Sequence, residues 1–166
     1  NILRPGVEFV SQYLLYGAMV DDDYRYETPL EVILDIEYLL SSVEMLYNRR
    51  PMTGFIRRGD VVRVDYGPAT WVQVNERTNS YEVHVDGSLV AKDLACIVPT
   101  EGGCVVYSRD ERQVEFELPE SMKGKQVSVL SLWEDGNRKL EPHELRDGSI
   151  ALAAGAHRPY LVTLEK

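Results

Sequence analysis

From Arg57 onward, apolar residues recur at every second position. Val62, Val64 and Tyr66 alternate with Arg63 and Asp65, and Val72 and Val74 alternate with Gln73 and Asn75. Tyr81, Val83 and Val85 alternate with Glu82, His84 and Asp86, and Val114, Phe116 and Leu118 with Gln113, Glu115 and Glu117. A strand turns successive side chains to opposite sides, so this pattern specifies strands with one dry and one wet face. Further strands are expected over 89–98, 105–107, 127–133, 150–152 and 160–164. Turn chemistry falls between them, at Gly67-Pro68, Asn79-Ser80, Asp86-Gly87, Gly102-Gly103, Asp135-Gly136 and Asp147-Gly148. Short strands at this spacing, with no helices between them, read as a mainly β chain built as an antiparallel β-sandwich.

Before residue 57 the period is helical. Val7, Val10, Leu14 and Ala18 recur at helical spacing after Pro5-Gly6, although 13–20 also reads as a buried strand. Thr28-Pro29-Leu30-Glu31 has the form of a capping box with Pro at the first helical position. Ile33, Ile36, Leu40, Val43 and Tyr47 then make one apolar stripe, which Pro51 ends. The expected organisation is therefore a helical segment at 1–56 and an antiparallel sandwich at 57–166. The opening of the second part, Gly59-Asp60-Val61-Val62-Arg63-Val64 and then Trp71-Val72-Gln73-Val74, also looks like a small SH3-like barrel spanning 57–100.

The 166 residues carry 18 Lys and Arg against 27 Asp and Glu, a net charge of −9. Nine of the acids and four of the basic residues precede Thr53, which fits a helical segment with a solvated face. This balance argues against nucleic acid and anionic membranes as partners, since both would repel it. No apolar run is long enough to span a bilayer, and no targeting segment is visible. The first residue is Asn1 rather than Met, which reads as a processed or excised piece, and secreted and cytoplasmic locations both stay open.

Three groups of residues are candidates for a site. Asp21-Asp22-Asp23 is a weak cation-binding candidate; consecutive acids point in different directions, and a solvated turn before Thr28 explains them as well. Trp71 has wet-face parity with Gln73 and Asn75. An outward Trp can stack against a sugar ring, so these three and Trp133, at a strand end, are carbohydrate-contact candidates; cover by the helical segment is the competing explanation for Trp71. Cys96 and Cys104 flank the turn signal at 99–103. A hairpin centred near Thr100 would make them face each other as a cross-strand disulfide, and two buried free thiols are the other outcome. His84, His143 and His157 have no ligand spacing, no nucleophile or phosphate-loop motif occurs, and no pair of carboxylates is singled out. Neither a metal nor a cofactor is expected.

Several pieces resemble the β-rich C-terminal region of bacterial glycoside hydrolases. They are Cys104-Val105-Val106-Tyr107-Ser108-Arg109, Val114-Glu115-Phe116-Glu117-Leu118-Pro119, Lys125-Gln126-Val127-Ser128-Val129, Trp133-Glu134-Asp135-Gly136 and Pro159-Tyr160-Leu161-Val162. Leu14-Leu15-Tyr16-Gly17 and the capped helix look like the last turn and exit helix of a catalytic barrel. The resemblance implies a non-catalytic accessory region that stabilises the catalytic domain of the same parent protein and contacts carbohydrate, with the catalytic residues elsewhere. An SH3-like or β-sandwich module for peptides or proteins is the alternative.

Overall fold

The structure, a computed structural model, describes residues 7–17, 28–132 and 138–165. Its described part is mainly β, with antiparallel sheets and a short helical segment near the N-terminus. The chain forms two compact units that part between Leu94 and Ala95.

In the first unit, α1 spans Val7–Tyr16 and a second helical run covers Leu30–Glu44. Five strands follow: β1 (Gly54–Arg58), β2 (Val61–Asp65), β3 (Trp71–Asn75), β4 (Ser80–Val85) and β5 (Ser88–Lys92). They pair antiparallel in sequence order. The alternation is realised: Val62, Val64, Val72, Val74, Tyr81 and Val83 are buried, while the residues between them are partly exposed. The core lies between this dry face and α1, which packs on β2, β3 and β4 through Val10, Leu14 and Leu15. Two tyrosines bolt the layers together. Tyr47 Oη donates to the Leu14 carbonyl, and Tyr66 Oη donates to the Leu15 carbonyl at 2.7 Å. The helical segment thus shares a core with β2, β3 and β4, and the unit boundary falls well beyond residue 56, the boundary that the change of period indicates.

The second helical run departs from the expected stripe. It is α-helical over Leu30–Leu34 (α2), π-helical over Asp35–Ser41 and α-helical again over Ser42–Glu44 (α3). Leu40, Val43 and Tyr47 are buried as the stripe requires, but upstream the buried positions are Val32 and Asp35 rather than Ile33 and Ile36. A π turn takes up about one residue more than an α turn. The stripe therefore slips by one residue at the π segment. The capping box does not form either. The helix starts at Leu30 with Pro29 as its cap residue, no side chain caps it, and Thr28 Oγ1 is buried without a hydrogen bond.

The second unit contains β6 (Ala95–Thr100), β7 (Gly103–Ser108), β8 (Arg112–Glu117), β9 (Val127–Leu132), β10 (Arg138–Leu140), β11 (His143–Arg146), β12 (Ser149–Ala154) and β13 (Tyr160–Leu164). Five of them run in the order β6-β7-β13-β9-β10, and β11-β12-β8 form a separate sheet. Val114, Phe116, Ile150 and Leu152 from the smaller sheet and Val127, Val129, Tyr160 and Val162 from the larger are buried, so each sheet contributes a dry face to this β-sandwich. Two hairpins close with two-residue loops in which both residues have positive φ: Asp86-Gly87 (51° and 88°) and Asp147-Gly148 (44° and 84°). Such loops twist in the sense of the flanking strands, and Asp followed by Gly supplies the left-handed backbone at low cost.

Candidate functional site

The outward face of β2, β3 and β4 collects the first unit's polar and aromatic side chains. Trp71 stands there, half-buried, as its parity requires. Register places it directly opposite His84 on β4 and Asp65 on β2. The His84 ring stacks on the indole with centroids 4.0 Å apart and planes 16° apart. From the other neighbouring strand, the Arg63 guanidinium lies 4.3 Å from the indole centroid, a cation–π contact. Flanking groups on both sides occupy the two faces of the ring. A sugar would meet the exposed edge of Trp71, or it would have to displace Arg63 or His84.

The surrounding charges are fixed by pairing. Arg63 donates to Asp65 Oδ1 through Nε at 2.9 Å and through Nη2 at 2.8 Å. Glu82 lies 2.9 Å from Lys92 Nζ and 3.5 Å from His84 Nε2. The Lys92 hydrogen bond holds the Glu82 carboxyl below its ordinary value, with His84 adding to the effect. Gln73 sits between Arg63 and Glu82 in the cross-strand row. Asn75 is engaged locally: its Oδ1 accepts from the amides of Arg77 and Thr78 at 3.0 and 3.2 Å, which shapes the β3–β4 turn. A β-bulge borders this face. Val83 pairs with Ala91 and His84 with Leu89, so Val90 is the extra residue.

The cysteines do not face each other. The β6–β7 hairpin turns at Glu101-Gly102, which pairs Cys96 with Tyr107 and Pro99 with Cys104. The two cysteines therefore stand three positions out of register and point to opposite faces of the sheet. Both are free, buried thiols. Burial pushes both thiols up, Cys104 to about 12 and Cys96 further. The hairpin is centred between Glu101 and Gly102 rather than near Thr100, and this register rules out the expected cross-strand disulfide.

Asp21, Asp22, Asp23 and Trp133 lie outside the described residues. Among the described residues, no group of three or more His, Cys, Asp or Glu side chains is placed to hold a metal ion, and no helix is long and apolar enough to cross a membrane. Two buried carboxylates escaped the sequence reading, Asp35 (0% exposed) and Glu44 (2% exposed), both on the interrupted helix. Burial first, and Glu44 second, raise the Tyr47 and Tyr66 hydroxyls, the latter to about 12. Arg63 and His84 were also missed as neighbours of Trp71, although the hairpin registers imply them once the turns are known.

No protein-family model matches this chain, and no curated protein sequence does.

Proposed function

We propose that this chain is a non-catalytic accessory region of a carbohydrate-active enzyme, which stabilises that enzyme's catalytic domain and contacts carbohydrate. The observation that carries the reading is where the resembling segments fall. Cys104–Arg109, Val114–Pro119, Lys125–Val129 and Pro159–Val162 lie on β7, β8, β9 and β13 and build both sheets of the second unit. A stretch of sequence resembling a terminal sandwich thus coincides with a compact two-sheeted body rather than being scattered over unrelated elements. Leu14 and Leu15, from the stretch resembling a barrel's last turn, are fully buried against the first sheet.

The test removes residues 95–166 from the parent polypeptide and measures soluble yield, melting temperature and the bond cleaved. The proposal predicts loss of yield and several degrees of melting temperature, with unchanged bond specificity. An undiminished melting temperature, or a parent with no sugar-cleaving activity, would sink it. The alternative of a peptide-binding module draws on the five-strand meander with Trp71 on its outward face. A peptide array whose signal disappears in Trp71→Ala, with no glycan retained, would decide for it.

A further inference from the structure

A groove of about 570 Å³ opens in the second unit, beside the start of β8 and the end of β12. β8 and β12 pair beside it, Arg112 with Ala154 and, on the opposite face, Gln113 with Ala153, so each long polar side chain stands across from a methyl group. Gly155 continues the shallow floor. Its amide donates to Tyr160 Oη at 2.7 Å, and a Cβ there would come within 3.2 Å of that oxygen and 3.7 Å of the Arg158 guanidinium. A side chain at 155 would crowd the phenol and guanidinium that close the floor.

The lining has two carboxylates, Glu111 and Glu141, two guanidiniums, Arg112 and Arg158, and the Gln113 amide. The charges balance, although the whole chain is strongly acidic. Glu141 is short of donors. Its side chain is only 14% exposed, its Oε1 has no hydrogen-bond partner among the described residues, and Lys139 Nζ stands 3.8 Å away. A buried carboxylate oxygen gains from a hydroxyl or amide donor brought to it.

We propose that this groove binds a neutral saccharide. Sugar hydroxyls both donate and accept, which suits a lining of carboxylates, guanidiniums and an amide; an ionic ligand would leave one pair of like charges opposed. The volume lies within the range of small-ligand sites, roughly 300–1,000 Å³. This inference rests on the carbohydrate-contact part of the proposed function, and it moves that contact from the Trp71 face to the sandwich.

The test is a ¹H–¹⁵N correlation spectrum of the whole chain, titrated with neutral trisaccharides of glucose, galactose, mannose and xylose. At least one should shift the Gln113 side-chain amide and the Gly155 backbone amide in a saturating manner, leaving the Trp71 indole N–H in place. Glu141→Gln should weaken that binding about ten-fold, the loss of one charge-assisted hydrogen bond, and Gly155→Ala should weaken it by narrowing the floor. Each variant's own spectrum reports whether it is folded. Shifts at the Trp71 indole with Gln113 and Gly155 unmoved overturn the groove and leave the accessory reading standing. Silence towards all four sugars overturns both the groove and carbohydrate contact, while the stabilising role is still judged by the 95–166 deletion.

Discussion

Thr70 carries more than its size suggests. It is fully buried between β2 and β3, and its Oγ1 meets three groups. It accepts from the Asp86 amide at 3.0 Å and from Arg50 Nη1 at 2.8 Å, and it stands 3.4 Å from Asp86 Oδ1. Arg50 in turn forms a fork with both Asp86 oxygens, at 2.6 and 2.8 Å, tying the residues after the helix to the β4–β5 turn. Thr70→Val keeps the volume and leaves the Asp86 amide without its acceptor, so it should cost about 1–2 kcal/mol in urea unfolding. Arg50→Ala should cost less, under about 1 kcal/mol, because the Asp86 side chain is 68% exposed and the pair is screened. Its effect should shrink further in molar salt, whereas that of Thr70→Val should persist. The same contrast applies to Trp71. Losing the contacts with Arg63 and His84 in Trp71→Ala should cost about 1–2 kcal/mol, so any ligand experiment with that variant needs a stability control.

Among the elements, the interrupted helix offers the sharpest test. With the π segment in place, Val32 and Asp35 share a buried side with Leu40, Val43 and Tyr47. In an unbroken α-helix of the same length Asp35 and Leu40, five positions apart, would stand roughly 140° from one another, and the buried Leu39 rather than Leu40 would continue the line of Asp35. Deleting the exposed Glu37 brings their spacing to alternating threes and fours, which one α-helical stripe accommodates. That deletion should therefore keep the fold at a cost below about 1 kcal/mol, while deleting Ser42 just beyond the π segment should lower the melting temperature by roughly 10 °C or more. Equal losses in thermal melts would show that the π geometry is not what sets the phase. On the sheet side, a Cβ added to Gly103 would come within 2.1 Å of the Val162 carbonyl oxygen, so Gly103→Ala must force β7 from β13 and should cost about 3 kcal/mol.

These two elements also show what a sequence can and cannot disclose. Strands were legible because burial on one face writes itself directly as alternation, as at Val72-Gln73-Val74. The Asp-Gly hairpins were legible because only a few residue pairs fit their backbone. The π slip was not, since an apolar residue stands at both candidate phases, Val32 beside Ile33. The cysteine pairing failed because register depends on which two residues make the turn, and the stretch from Pro99 to Gly103 allows more than one choice. The candidate groove left no pattern at all; its lining, from Glu111 to Gln113, Glu141 and the end of β12 onward, is gathered by pairing rather than by composition.

For the molecule as a whole, the two units differ in which buried groups must ionise in base. The second unit holds Cys96 and Cys104, whose thiols are raised from an ordinary value of 9.0 by burial, Cys104 to about 12. The first holds Tyr47 and Tyr66, raised from 10.0 chiefly by burial, Tyr66 to about 12. A group whose folded pKa is raised stabilises fully below its unfolded pKa, and that contribution is lost as pH rises through the folded value. Thiol-linked loss in 95–166 should therefore set in near pH 9, and tyrosine-linked loss in the first unit near pH 10, both continuing towards about pH 12. Urea unfolding across pH 8–11 can separate them: Trp133→Phe leaves Trp71 to report on the first unit, and Phe116→Trp combined with Trp71→Phe and Trp133→Phe puts a reporter in the buried face of the second. The midpoint read at position 116 should begin to fall about one pH unit before the Trp71 midpoint. In Cys96→Ala/Cys104→Ala the earlier fall should disappear even if the starting stability is lower. An onset near pH 9 that survives the double replacement would show that something other than thiol burial makes the sandwich sensitive to base.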